Sequence, residues 1–322
     1  MKKILLVALA AAAMVGCSQN EEIDNAAQKA KIKLGAIVST TTKAVVTDNS
    51  NFETFTVTGY VTDAKIDASS VLGEAFIPAT KIDKSGSAWT TTELNYYWPY
   101  EKQVQFFATS PALDLVTPAA GYPTFDYTIK ATSSEQEDLV VAAKTDQTKV
   151  IAGENGVLLP FVHALTQVNF SIKGADAYTY KVSSITIAGV KNKGTYSFEN
   201  GKWSALTVDG EAPIYSYPLI ENASVTGVTA IPVGATNGEL MLMPQEMPAT
   251  GGVVTVKYQV FDDSLPISEE FTATADLAGT KDWVPATKVR YTIALDNKGS
   301  KIVLGIPTVD GWTDATENLP KK

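Results

Sequence analysis

The chain has 322 residues, of which 45% are hydrophobic and 19% charged, a composition typical of a globular protein with room for about two domains. Its 26 basic and 35 acidic side chains give a formal charge of −9, which excludes nucleic acid as a favoured partner. The chain has one cysteine and one histidine, too few for a disulfide framework or a metal site built from several such ligands. The sequence therefore predicts no cofactor and no metal.

The N-terminus carries the features of an export signal. Lys2 and Lys3 precede 12 apolar or alanine residues, 4–15, a run too short to span a bilayer as a mature helix. The run ends in small residues before Cys17, where a lipoprotein signal would be cut so that this cysteine becomes the acylated first residue. We predict a lipoprotein signal peptide over 1–16 and lipidation of Cys17. The alternative is an ordinary secretory cleavage site beside an unrelated cysteine.

Residues 17–30 are polar and acidic and lack a core-forming pattern, which predicts a tether between the lipid and the fold. From residue 31 onwards the sequence reads as short runs rich in β-branched and aromatic residues, with little helical periodicity. The predicted strands are 31–38, 52–61, 104–108, 139–143, 166–172, 183–188, 195–198, 239–243, 253–261, 270–275, 289–295 and 301–304.

Turn sequences separate these strands, as in antiparallel hairpins and Greek keys. Examples are Lys84-Ser-Gly-Ser87 and Glu199-Asn-Gly201. The pattern predicts an all-β sandwich architecture, and the length exceeds that of one sandwich. We therefore predict two stacked sandwiches, over 31–160 and 161–322, with a boundary near residue 160.

The residues that could carry catalysis lack the partners that catalysis needs. Carboxylates cluster in polar turns or at strand starts, where we expect solvated charges, although a glycosidase pair can be distant in sequence. Asp262 and Asp263 match no cation loop. His163 lies between apolar residues, and we expect a packed or hydrogen-bonded structural histidine. The clusters are Glu135, Glu137 and Asp138; Asp262 and Asp263; and Glu269 and Glu270.

Five aromatic residues are concentrated between positions 89 and 100. They could stack on sugars, but core packing explains them better. A lipid-anchored carbohydrate-binding surface protein that does not polymerise is therefore the alternative function. The five residues are Trp89, Tyr96, Tyr97, Trp98 and Tyr100.

Several segments, in their order along the chain, resemble the fimbrillin-like lipoproteins of Bacteroidota, the pilin subunits of type V pili. The resemblance covers nearly the whole chain. Its carriers are the start ending at Cys17, Thr42-Lys-Ala44, Tyr97-Trp-Pro99 before 104–108, 138–142, 161–170, Ile185-Thr-Ile-Ala-Gly-Val190, Leu242-Met-Pro-Gln245, Val289-Arg-Tyr-Thr-Ile293 and Val309-Asp-Gly-Trp312.

The resemblance implies two transthyretin-like β-sandwich domains and a lipoprotein exposed on the cell outer membrane. It also implies that a trypsin-like protease removes the first strand and that subunits polymerise by strand exchange, with roles in adhesion and biofilm formation. The chain would then be a structural pilus subunit and not an enzyme. Its partners would be other pilin subunits.

The removable segment predicted here is 31–43, in which Ile32, Leu34, Ala36 and Val38 alternate as in a strand that covers a sheet edge. Cleavage between Lys43 and Ala44 would free it. The processed relatives carry arginine at the cleavage site, whereas the single arginine of this chain is Arg290. Lys43 therefore calls for a lysine-tolerant protease, and an uncleaved chain would be an anchor or accessory subunit.

The C-terminal segment 301–312 is the predicted donor strand, with Ile302, Leu304 and Ile306 on one face. Pro307 fits an edge strand or a segment that moves. A separate motif, Asp263-Ser-Leu265, resembles the O-glycosylation signal of exported proteins in these bacteria and points to Ser264.

Overall fold

A computed structural model describes residues 30–38, 51–90, 95–236, 238–247, 252–299, 302–305 and 307–311. The described part is almost entirely β, which confirms the predicted all-β, sandwich-like fold. One short α-helix, α1 (Lys149–Ala152), and one 3₁₀ turn (Ser133–Glu135) are the helical elements of these ranges. None of the helices in the described ranges is long and apolar enough to cross a membrane.

The first eight strands belong mainly to one large sheet. They are β1 (Leu34–Val38), β2 (Thr54–Thr62), β3 (Ile77–Ser85), β4 (Ala88–Thr90), β5 (Gln103–Ser110), β6 (Thr124–Thr128), β7 (Val140–Gln147) and β8 (Val157–His163). All except β6 form a seven-stranded sheet in the order β1-β8-β7-β5-β2-β3-β4.

The remaining strands form the C-terminal sheets. They are β9 (Thr166–Lys173), β10 (Thr179–Ala188), β11 (Lys193–Ser197), β12 (Lys202–Thr207), β13 (Tyr215–Ser216), β14 (Ser224–Thr226), β15 (Ile231–Pro232), β16 (Leu240–Leu242), β17 (Val253–Asp262), β18 (Leu265–Pro266), β19 (Phe271–Asp276), β20 (Thr287–Ala294), β21 (Val303–Leu304) and β22 (Thr308–Gly311). One sheet contains β9, β20 and the short strands β15, β16, β21 and β22; a second contains β10, β13, β14 and β17–β19. A three-stranded sheet has the order β12-β11-β6.

The predicted turns explain several of these connections. Ser85 pairs with Ala88 across the Lys84–Ser87 turn, and Ser197 pairs with Lys202 across the Glu199–Gly201 turn. Most strand pairs are antiparallel, as tight turns between consecutive strands favour. Two pairs are parallel, β1 with β8 and β9 with β20.

The large sheet separates two hydrophobic cores. On β5, Phe106 packs into one core and the next residue, Phe107, packs into the other, because successive side chains of a strand point to opposite faces. We call these the first core and the second core. The first includes Ile32, Val57 and Phe161, and the second includes Phe170, Tyr196 and Tyr258. Burial on both faces explains why apolar residues are consecutive at Phe106–Ala108 of β5 and Val140–Ala143 of β7.

The second core joins the two halves of the chain. Tyr60 and Phe107 of the large sheet belong to it together with residues of the C-terminal sheets. Strand β8 crosses residue 160 within the large sheet, and β6 pairs with β11 from beyond that residue. The division into two domains at residue 160 stays a prediction.

Candidate functional site

Strand β1 forms one edge of the seven-stranded sheet. It pairs with β8 over five consecutive residues, from Leu34 opposite Val157 to Val38 opposite Phe161. The chain just before it is also held: the Ile32 amide donates to the Tyr96 carbonyl at 2.9 Å, and the Trp98 amide donates to the Ala30 carbonyl at 3.1 Å. Backbone hydrogen bonds on both sides therefore fix the start of this segment.

The inward-pointing side chains of β1, together with Ile32 just before it, fill the first core. Ile32, Leu34 and Val38 are 1%, 5% and 0% exposed, and Ala36 is partly buried against the same core. The four residues that alternate in the sequence therefore lie on the buried face of this segment, as predicted. Loss of this strand would uncover apolar side chains such as Val157, Leu159 and Phe161 of β8, leaving an apolar groove beside an unpaired edge.

The two ends of the large sheet approach each other through Trp89 of β4. Its indole Nε1 donates a hydrogen bond of 3.2 Å to the carbonyl oxygen of Ala36 in β1. The ring packs edge-on against Phe52 and Phe55, with centroid separations of 5.2 and 5.0 Å. Trp89 therefore links the edge strand β1 to the opposite edge of the same sheet.

The C-terminal segment lies at the edge of a C-terminal sheet. Strands β21 and β22 pair antiparallel with β20 in two short pieces, two and four residues long. Ile302 is 3% exposed and Leu304 is partly buried against the second core, while Ile306 lies outside the described residues. Pro307 sits between the two pieces, at an edge as its missing amide requires.

An open cleft borders this segment. Its volume is about 570 Å³, and it lies between the end of β19 with the following loop and the C-terminal segment. Asp276, Thr280 and Lys281 line one side, and Ile302, Leu304 and Pro307 line the other. The C-terminal segment is therefore incompletely packed on one side.

The remaining predicted positions are distributed as follows. Cys17, Lys43 and Ala44 lie outside the described residues, so lipidation and processing at these positions stay predictions. Ser264 is exposed in the tight turn between β17 and β18, next to Asp263 with a φ of +51°.

The prediction that Asp138 is a solvated charge is wrong. Asp138 is buried, and its Oδ2 and Oδ1 lie 2.9 and 3.1 Å from Nδ1 of His163. The two residues are 25 positions apart in sequence and meet because β7 and β8 pair at that point. His163 is buried and hydrogen-bonded, as expected. The other clustered carboxylates, Glu135, Glu137, Asp262, Asp263, Glu269 and Glu270, are exposed.

No group of three or more histidine, cysteine, aspartate or glutamate residues within the described ranges could hold a metal ion. The aromatic concentration does not form one surface either. Trp98 is 5% exposed, Trp89 and Tyr96 pack on the first core, and only Tyr97 and Tyr100, at 42% and 54%, are exposed. Core packing accounts for the three remaining rings.

The described fold thus defines a β-sandwich type of protein in which both ends of the described part supply edge strands. Residues 42–312 match the fimbrillin-like family, and the chain belongs to that family. A curated relative, fimbrium subunit Fim1C of Phocaeicola vulgatus, is 27% identical over 242 residues. That match covers 64% of this chain and 63% of the relative, so the chain spans less than two thirds of the relative's length.

Solved structures share the fold. A fimbrial protein from Bacteroides vulgatus superposes with a TM-score of 0.64 at 20% identity, covering 87% of this chain and 99% of that protein. A candidate cell adhesion protein from Bacteroides uniformis gives a TM-score of 0.52 at 18% identity, covering 88% and 98%. At these identities the likeness concerns the fold alone.

Proposed function

We propose that the chain is a subunit of a surface fimbrium. It is exported as a lipoprotein, held at the cell outer membrane by lipid on Cys17, and joined to other pilin subunits. Its role is structural, in adhesion and biofilm formation, and not enzymatic. Membership of the fimbrillin-like family and similarity to a protein named as a fimbrium subunit support this proposal.

Assembly proceeds by strand exchange. A trypsin-like protease that accepts lysine cuts between Lys43 and Ala44 and releases the segment that contains β1. The observation that carries this step is the position of β1 at a sheet edge. Leu34 and Val38 of β1, and Ile32 just before it, are buried, and their departure leaves an apolar groove along β8. A strand from another subunit then restores the backbone ladder and fills the pockets.

The donor is the segment 301–312 of a neighbouring subunit, with Ile302, Leu304 and Ile306 as the inserted side chains. Its attachment in two short pieces beside an open cleft supports this assignment, because each piece pairs with β20 separately and one side of the segment borders open space. An alternating apolar face also suits pockets that previously held Ile32, Leu34 and Val38.

The test uses the absence of arginine near the N-terminus. Because Arg290 lies within β20 and is the single arginine, an arginine-specific protease should cut folded Lys43→Arg at position 43 and leave the wild type intact. We expect the cut variant to form a ladder of SDS-resistant oligomers in unheated samples. A synthetic peptide of residues 30–39 should suppress the ladder, whereas a scrambled peptide of the same composition should not.

Two controls make the result interpretable. Uncut Lys43→Arg must remain monomeric, and Lys43→Gln must resist both trypsin-type cleavage at this position and oligomer formation. Clean cutting at residue 43, release of the N-terminal segment and a persistent monomer would contradict assembly by strand exchange.

A further inference from the structure

One end of the large sheet carries exposed apolar side chains from two neighbouring loops. Val150 and Ile151 of α1 are 90% and 62% exposed, and Tyr97 and Tyr100 of the loop before β5 are 42% and 54% exposed. We call these four residues the end patch. Trp98 and Lys149 line both of two cavities at this end, about 210 and 420 Å³ in volume, and Ala30 lines the smaller one, so the two loops and the start of the described part lie side by side.

The tip that carries Val150 and Ile151 has a defined structure. The Thr148 hydroxyl accepts a hydrogen bond from the Ile151 amide at 3.2 Å, and Ala152 is buried at the edge of the first core. The turn is thereby fixed with Ala152 inward and the two larger apolar side chains outward. Folding stability alone favours the opposite arrangement, because burying Val or Ile removes more apolar surface from water.

Lysines surround the end patch. Lys31, Lys33, Lys102 and Lys149 lie around it, and the nearby carboxylates are Asp63, Glu101 and Glu154. Two of the lysines form ion pairs at the surface, with 2.9 Å between Nζ and a carboxylate oxygen: Lys102 with Asp63, and Lys149 with Glu154. Four lysines and three carboxylates leave one net positive charge here, whereas the whole chain carries −9.

The position of the end patch beside Ala30, the first described residue, indicates the partner of the patch. Ala30 lines the smaller cavity, and 12 residues separate it from Cys17. A segment of that length spans at most about 40 Å. Strand β8 begins at this end, and its other end, at His163, leads to Ala164, whose carbonyl accepts the Trp203 indole from β12. The C-terminal half therefore joins the far end of β8.

We propose that the end patch docks on the surface of an anionic phospholipid membrane. Val150 and Ile151 enter the boundary between headgroups and acyl chains, Tyr97 and Tyr100 lie at headgroup level, and the four lysines face lipid phosphates. This inference rests on the proposed lipid at Cys17 for its orientation. Cutting after Lys43 would remove Lys31 and Lys33 and so weaken the contact as the subunit leaves the membrane.

The test uses the chain from Ser18 to Lys322, which lacks both the signal peptide and Cys17 and keeps every described residue. Binding is measured by cosedimentation with vesicles of phosphatidylcholine alone or mixed equally with phosphatidylglycerol. We expect binding to the mixed vesicles that weakens as salt rises. Val150→Asp/Ile151→Asp should weaken it about tenfold or more, because two apolar side chains no longer enter the lipid.

The matched control is Val228→Asp/Leu265→Asp, which adds the same charge at two exposed apolar positions of the C-terminal half, 62% and 73% exposed. It should bind within about twofold of the wild type, since charge alone is a weak surface effect. Equal loss in both double variants, or no binding to either vesicle, would overturn the proposal. So would self-association in sedimentation velocity that Val150→Asp/Ile151→Asp abolishes while vesicle binding is absent, because the end patch would then contact a second copy.

Membrane docking of the end patch and lipidation of Cys17 are tested by independent experiments. The protein in this experiment lacks Cys17 and carries no attached lipid, so the outcome does not depend on lipidation. The mass of the N-terminal peptide from cells tests lipid on Cys17 without reference to the end patch.

Discussion

The two edge strands at the ends of the described chain differ in how they are attached. Strand β1 pairs with β8 without interruption, and Ile32 just before it, Leu34 and Val38 are buried. The C-terminal segment pairs with β20 in two pieces separated around Pro307 and borders a cleft of about 570 Å³. A continuous strand leaves a continuous groove when it is removed, whereas a divided one can detach from β20 one piece at a time. The difference suits β1 to be replaced and the C-terminal segment to replace it.

The largest expected effect is truncation of a buried side chain in β1. Leu34→Ala should lower the free energy of unfolding by about 3 kcal/mol, because it leaves a cavity in the first core. Leu304→Ala, at a half-buried position of the C-terminal segment, should cost about 1 kcal/mol. Urea unfolding of both variants measures the contrast. Equal losses would remove the distinction between the two edges.

A second prediction concerns the approach of β1 to the turn before β8. Gly156 has a φ of +80°, and a Cβ at this position would lie 2.5 Å from the Lys33 carbonyl oxygen. Gly156→Ala should therefore cost about 2 kcal/mol and raise amide exchange in β1.

Gly153→Ala is the control for that variant. Gly153 has a φ of +58°, and no atom lies within 4 Å of the added carbon. It should cost about 1 kcal/mol from backbone strain alone, with β1 exchange unchanged. A Gly156→Ala protein as stable as the Gly153→Ala protein would show that β1 does not pack closely against this turn.

Alkaline pH should destabilise the second core and leave the first core unaffected. Burial raises the pKa of Tyr196 and of Tyr258, both in the second core, to about 12, with Asp296 adding to the effect at Tyr258. Between pH 10 and 12 the unfolded chain loses protons that the folded chain keeps, so stability is full below about pH 10 and falls above it, by about 1.4 kcal/mol per pH unit for each tyrosine. The buried rings of the first core are phenylalanine and tryptophan, which do not titrate.

Tyr196→Phe should reduce that slope by one tyrosine's share, as measured by urea unfolding from about pH 9 to pH 12. Amide exchange over the same range should rise first in β20 and its neighbours, before β1. Simultaneous loss of protection in both regions would contradict independent responses of the two cores.

The smallest expected effect is at Trp89. Trp89→Phe removes the hydrogen bond to Ala36 and should cost about 1 kcal/mol, with faster amide exchange in β1. Trp203→Phe removes a similar bond, 2.7 Å long, to Ala164 and should leave β1 exchange unchanged. Unaltered β1 exchange in Trp89→Phe would show that the opposite edge does not hold this strand.

The sequence predicted those strands in which apolar and β-branched residues recur regularly. Strands β9 and β17 begin at the predicted residues 166 and 253. Strand β3 was missed, because its sequence contains proline, two lysines and only two buried apolar residues, Ile77 and Ile82. Local pattern carries little information about a strand that is mostly exposed.

The sequence also did not predict which strands pair when they lie far apart along the chain. The apolar face of β1 is visible in the sequence, but its parallel partner β8 lies more than a hundred residues away, and turn sequences predict only adjacent antiparallel pairs. The same holds for Asp138 and His163, which meet through the pairing of β7 with β8. The end patch was missed because exposure of Val150 and Ile151 depends on the turn that buries Ala152.

The proposed assembly requires that β1 is removed before subunits join through strand exchange. The most direct measurement is the intact mass and N-terminal sequence of the protein within fibres sheared from the native cell surface. If β1 is removed first, the subunits in the fibre begin at Ala44 and carry no lipid. Assembled fibres whose subunits of this protein begin at an acylated Cys17 and retain residues 31–43 would contradict it.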